Sequence, residues 1–175
     1  MKKYQLTFVC LFSCLYLAAQ QQPAQKEVMH MTLPKGTQKI ENGHFGDIKV
    51  RKFDNQKAEI FKDHIYKKDD LLIYYRFFST IKGLRKTLEN QQKLMVSLSK
   101  QKTDRITDDA KIVTINNSRY SIIDYHEGTE YYKWFFSDYD KDGNFINGFI
   151  QYSKEDSASA TKYLNDLLPT IGFNN

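Results

Sequence analysis

The segment Asp138-Tyr139-Asp140-Lys141-Asp142-Gly143-Asn144 sets three carboxylates at alternate positions and follows the last with glycine. These match positions one, three, five and six of an EF-hand loop, with Asn144 able to give the carbonyl of position seven. Position twelve, which needs a bidentate glutamate, falls on Phe149, and aromatic strands rather than helices run into and out of the loop. Asp142-Gly143 is also a hairpin signal, since both residues tolerate positive φ. Asp138, Asp140 and Asp142 share one side of an extended chain, so weak calcium binding is the most these ligands allow. A tight turn is the expected reading.

Aromatic residues crowd between Tyr120 and Tyr152. Strand alternation sends Trp134, Phe136 and Phe149 to one interior face, which leaves Tyr125, Tyr131, Tyr132 and Tyr152 as candidates for an exposed stacking surface for a sugar or peptide. Asp124 and His126 stand two apart on one strand face, a pairing that suits a zinc ligand set or a base with its orienter. A catalytic zinc needs a third protein ligand, and His30, His44 and His64 are dispersed. No G-x-S-x-G, phosphate-cradling glycine loop or H-E-x-x-H occurs, so no catalytic residue and no cofactor is assigned.

The elements that would position these groups follow from periodicity. Val28–Leu33 reads as a first strand, and Leu71–Phe78 as a strand buried on both faces. Between them residues 37–66 give no decisive pattern: Asp54 can cap a short helix through Phe61, while AEIFKDHIY also alternates as a strand does. The run from Lys82 to Lys100 places Leu84, Leu88, Met95 and Leu98 at helical spacing. A polar linker, Gln101 to Asp109, leads to KIVTIN, RYSIIDYHE, EYYKWFFSDYD and FINGFIQYS, separated by Asn117-Ser118, Gly128-Thr129 and Asp142-Gly143. That is an antiparallel meander. A two-residue loop at Gly128-Thr129 sets Asp124 opposite Lys133, Ile122 opposite Phe135 and Ile123 opposite Trp134. A loop at Asp142-Gly143 sets Phe136 opposite Phe149 and Phe135 opposite Ile150. The terminal helix starts at Ser153 with Asp156 three residues on, and Ala160, Leu164, Leu167 and Leu168 form its stripe. Both sheet faces are apolar, so helices should cover both. The fold class is α+β, an antiparallel sheet in an α/β/α sandwich.

The opening MKKYQLTFVCLFSCLYLAAQ has two lysines, the apolar run Leu6–Ala19 and a small-residue end. This is the pattern of a secretory signal peptide, shorter than the ~20 residues of a membrane span. The expected division is a signal peptide over 1–19, a flexible leader over 20–27 and one domain over 28–175. Leu11-Phe12-Ser13-Cys14 loosely resembles a lipobox, so the alternative is lipid anchoring through Cys14. Both cysteines, Cys10 and Cys14, lie in the removed segment, which excludes disulfides, thiolate nucleophiles and cysteine-held zinc. The formal net charge is +5, two of it from Lys2 and Lys3, and the rest is scattered. No nucleic-acid partner is implied.

TLPKGTQKI near the mature start, the meander INNSRYSIIDYHEGTEYYKWFFS and the closing helix before LPTIGF resemble the PsbP-like sandwich proteins. The chain also resembles small exported proteins common in Bacteroidota. The PsbP-like resemblance implies a binding or accessory fold without catalysis. The expected function is therefore an exported, non-catalytic binding or accessory module, periplasmic or secreted, with no membrane span after cleavage. Its partner would be an envelope protein, a peptide or a glycan. The alternatives are a hydrolytic enzyme with a dispersed site and a secreted interaction protein that neutralises a protein partner.

Overall fold

The computed structural model describes residues 29–40, 65–80, 82–100 and 104–173. Among these, the strands are β1 (Met29–His30), β2 (Gln38–Lys39), β3 (Ile65–Lys68), β4 (Leu71–Ser79), β5 (Arg105–Ile115), β6 (Ser118–Glu127), β7 (Glu130–Ser137), β8 (Asn144–Tyr152) and β9 (Gly172–Phe173). The helices are α1 (Leu88–Lys100) and α2 (Ser157–Leu167). Seven strands form one antiparallel sheet in the order β2-β3-β4-β8-β7-β6-β5, and β1 pairs with β9 in a separate ribbon. This is the α+β layout of a large antiparallel sheet with helices.

Alternation along the strands divides the core. Ile123, Tyr125, Tyr132 and Phe136 pack with Leu88 of α1, and Met95, Val96, Ile112, Trp134 and Phe149 gather around them. On the opposite face, Ile122, Phe135 and Ile150 are buried, and the Tyr120 hydroxyl donates to the carbonyl of Leu168 just past α2. Ala160, Leu164, Leu167 and Leu168 are all buried as the helical stripe requires, with Tyr163 beside them.

The first hairpin has the expected register, with Ile122↔Phe135, Ile123↔Trp134 and Asp124↔Lys133. Gly128, at φ +61°, supplies its turn. The second differs. Phe136 faces Asn147 and Phe135 faces Gly148, because the turn spans Asp140 to Gly143 rather than centring on Asp142-Gly143. The Gly143 N–H donates to the Asp140 carbonyl (3.1 Å), and the Asp140 N–H donates to the Asn144 carbonyl (2.9 Å). Gly143 thus occupies the left-handed position that closes a three-residue loop, at φ +93°. A Cβ there would come within 2.3 Å of the Thr80 carbonyl. The slip is of two residues, so every side chain keeps its face. Between β5 and β6 the turn is Asn116-Asn117, both at positive φ, one residue earlier than expected.

Further expectations are corrected. The helix begins at Leu88, not near Lys82; Leu84 is 67% exposed and Leu98 46% exposed, and the buried side runs through Leu88, Met95 and Ser99. The strand expected from Lys111 starts at Arg105, where its polar residues suit a solvent-facing edge better than an alternating core strand. Trp134 is half-buried rather than a core centre, its Nε1 donating to Asn147 Oδ1 at 2.6 Å. The strand over Leu71–Ser79 is buried on both faces only through Tyr74, and the strand expected over Val28–Leu33 is Met29–His30 within the described residues. The segment from Asp54 to Phe61, which the sequence leaves open between a short helix and a strand, lies outside the described residues.

Candidate binding site at the hairpin end of the sheet

The strands end together at the Gly128-Thr129 turn, and there strand alternation splits the four candidate tyrosines into two pairs. Tyr125 faces Tyr132 on the α1 side, with stacked rings 4.8 Å apart. Tyr131 faces Tyr152 on the α2 side, at 6.0 Å and tilted. The structure does not bring the four into one patch.

The α1-side pair is enclosed. The Arg105 guanidinium lies 4.4 Å over the Tyr125 ring and pairs with Glu127, whose side chain is 8% exposed. The Tyr132 hydroxyl donates to Glu130 Oε2 at 2.7 Å. Burial, and then that bond to a carboxylate, raises the Tyr132 pKa, since both disfavour a second negative charge. The cation, the two rings and the carboxylates are committed to each other.

In the α2-side pair Tyr152 is buried as well, and only Tyr131 is half-buried. Lys133 Nζ binds Asp124 Oδ2 at 2.7 Å and lies 5.7 Å from the centre of the Tyr152 ring. The other oxygen, Asp124 Oδ1, is buried without a hydrogen-bond partner among the described residues. Burial, reinforced by the negative charge of Asp124, pushes the Tyr152 hydroxyl up to about 12. His126 projects from the same face, its ring 5.2 Å from Tyr131. Asp124 and His126 share that face, as their spacing predicts, but each bonds elsewhere: Asp124 to Lys133, and His126 to Asp108, whose oxygens lie 3.0 and 3.1 Å from Nδ1.

Asp108 is the residue that sequence reasoning missed. The β5–β6 register jumps between Thr107 and Asp109, so Asp108 and Asp109 together oppose Asp124. Such a bulge leaves one residue without a ladder partner and re-aims its side chain. Here the freed carboxylate reaches the imidazole. The only sequence signal is the doubled aspartate in a segment expected to be a linker.

The loop carboxylates are occupied by the turn. Asp140 Oδ1 accepts the N–H groups of Asp142 (2.9 Å) and Asn144 (2.7 Å), and Oδ2 accepts Asn144 Nδ2 (2.8 Å). Partial burial alone would raise the Asp140 pKa, but these bonds outweigh it and hold the carboxyl below its usual range. Asp138 Oδ1 accepts the Tyr139 N–H at 2.9 Å, and Oδ2 lies 3.5 Å from Arg119. Asp142 sits exposed at the tip. Among the described residues, no group of three or more His, Cys, Asp or Glu is arranged to hold a metal ion. Among them, too, no helix is long and apolar enough to cross a membrane.

No protein-family model and no curated protein matches this sequence. Among solved structures, the solution structure of cyanobacterial PsbP (CyanoP) from Synechocystis sp. PCC 6803 is similar at a TM-score of 0.50 and 9% identity, over 86% of this chain and 89% of that one. At that identity the likeness is one of fold, and the chain has a PsbP-like α+β architecture.

Proposed function

We propose that the protein is an exported, non-catalytic binding or accessory module whose binding surface is the α2-side face at the Gly128-Thr129 end of the sheet. In this reading residues 1–19 are a signal peptide, 20–27 a leader and 28–175 one domain acting in the periplasm or outside the cell. The observation that carries the reading is the combination at that end of half-buried Tyr131 and His126 rings with the buried, unpaired Asp124 Oδ1. Aromatic faces next to a few convergent polar groups are what small-ligand and peptide sites are made of. The PsbP-like fold is compatible with a module of this kind.

Co-sedimentation of the purified protein with its native envelope fraction tests the proposal. The wild type should bind saturably, Tyr131→Ala and His126→Ala should lose most of the binding, and Leu84→Ala, in an exposed position, should keep it. Equal binding by all four proteins, or none by the wild type, would sink it.

One observation favours the hydrolytic alternative. A carboxylate on His Nδ1 is how many enzymes orient a general base, and such a base at the surface could activate water. Turnover of a panel of chromogenic esters and glycosides that is lost in His126→Ala would establish that alternative instead.

A further inference from the structure

Resting on the binding-module reading, we infer that the α2-side shelf takes an uncharged, hydroxyl-bearing ligand, a sugar ring laid on Tyr131, and that Asp108 is the positioning residue that prepares His126 to hold it.

A carboxylate only accepts hydrogen bonds, so a neutral imidazole gripped by Asp108 at 3.0 and 3.1 Å carries its proton on Nδ1. Its lone pair is then on Nε2, the nitrogen left for a ligand. The His126 side chain is 22% exposed, so it remains partly open to solvent. Beside it stands the Tyr131 ring, 5.2 Å away, offering an apolar face with a hydroxyl at its tip.

The exposed Asp108 carboxylate disfavours an anion, and the buried Lys133 ammonium is spent on Asp124. Asp108 is itself paired with His126. What remains for a ligand is the His126 acceptor nitrogen, the unpaired Asp124 Oδ1, one phenol and one ring face. A sugar fits this set, since its hydroxyls donate to nitrogen and its C–H face packs on an aromatic ring.

The bulge makes the arrangement possible. In a regular ladder one residue would oppose Asp124, but here Asp108 and Asp109 both do. Asp109 turns to Lys111 (3.4 Å), and Asp108 is left for the imidazole.

The test uses the purified full-length protein labelled with ¹⁵N. Long-range ¹H–¹⁵N correlation of the His126 ring should show the Nδ1–H form, and Asp108→Ala or the isosteric Asp108→Asn should change it. Titration with neutral trisaccharides of glucose and of N-acetylglucosamine should shift Tyr131 and His126 signals saturably for at least one sugar. Either Asp108 variant should weaken that binding tenfold or more while the backbone amide spectrum stays native. An Nε2–H ring in the wild type overturns the role of Asp108. Shifts caused only by sodium phosphate or ethylammonium overturn the sugar class but leave the binding module standing. No shift with any probe, while envelope binding still depends on Tyr131, also overturns the sugar class. Loss of both means that the site itself was misassigned.

Discussion

The rings of Tyr125 and Tyr132 lie 4.8 Å apart and 9° from parallel, and the Arg105 guanidinium caps the stack 4.4 Å above Tyr125. Because Arg105 is also paired with Glu127, and both side chains are largely buried, neither charge has water to fall back on. Glu127→Ala should therefore cost about 3–5 kcal/mol, the usual result of stranding one member of a buried pair. Replacing both together, Arg105→Met with Glu127→Leu, should cost far less. Urea denaturation of the two variants checks this; an equal or larger loss in the double variant would show the ion pair to be net stabilising.

Alkaline pH should unfold the protein through its buried phenols. Burial raises Tyr74 to about 12, with Arg76 offsetting part of the effect, and Tyr152 to about 12 as well. In the unfolded chain a tyrosine ionises near pH 10. A group whose pKa is raised on folding adds stability below its unfolded value and loses it as pH rises through the folded one. Stability should fall between pH 10 and about 12, and Tyr152→Phe should flatten that fall. Thermal melts across this range would contradict the account if wild type and variant lost stability in parallel.

Millimolar calcium should leave the melting temperature unchanged relative to chelator. The Asp140 oxygens already serve three N–H donors of the turn, and a ligand far below saturation adds little to stability. Asp140→Ala should instead destabilise the protein by ~1–3 kcal/mol, with or without calcium, by stranding those donors. A rise of several degrees with calcium, abolished in that variant, would restore the metal reading of Asp138, Asp140 and Asp142.

Mass spectrometry of the protein recovered from its native host should find the mature chain starting near Gln20, without lipid. A diacylated Cys14 would place the protein on a membrane by an anchor and overturn the secreted reading.

Sequence alone determined what depends on near neighbours in the chain. Alternating apolar residues around Gly128-Thr129 settled both the β6–β7 register and the face of each side chain. Periodicity also settled the α2 stripe, since Ala160, Leu164, Leu167 and Leu168 recur at helical spacing and are all buried. Tertiary structure decided what depends on distant partners. Asp142-Gly143 is compatible with a two-residue loop or with the last part of a three-residue loop, and the close approach of Gly143 to the Thr80 carbonyl accompanies the longer one. Leu84, Leu88, Met95 and Leu98 are equally apolar, but the sheet buries Leu88 and leaves Leu84 and Leu98 in solvent. The pairing of Asp108 with His126 was the least legible feature. A bulge has no period, and an edge strand facing water shows no apolar alternation. The two residues meet only after β5 has paired with β6, eighteen positions along the chain.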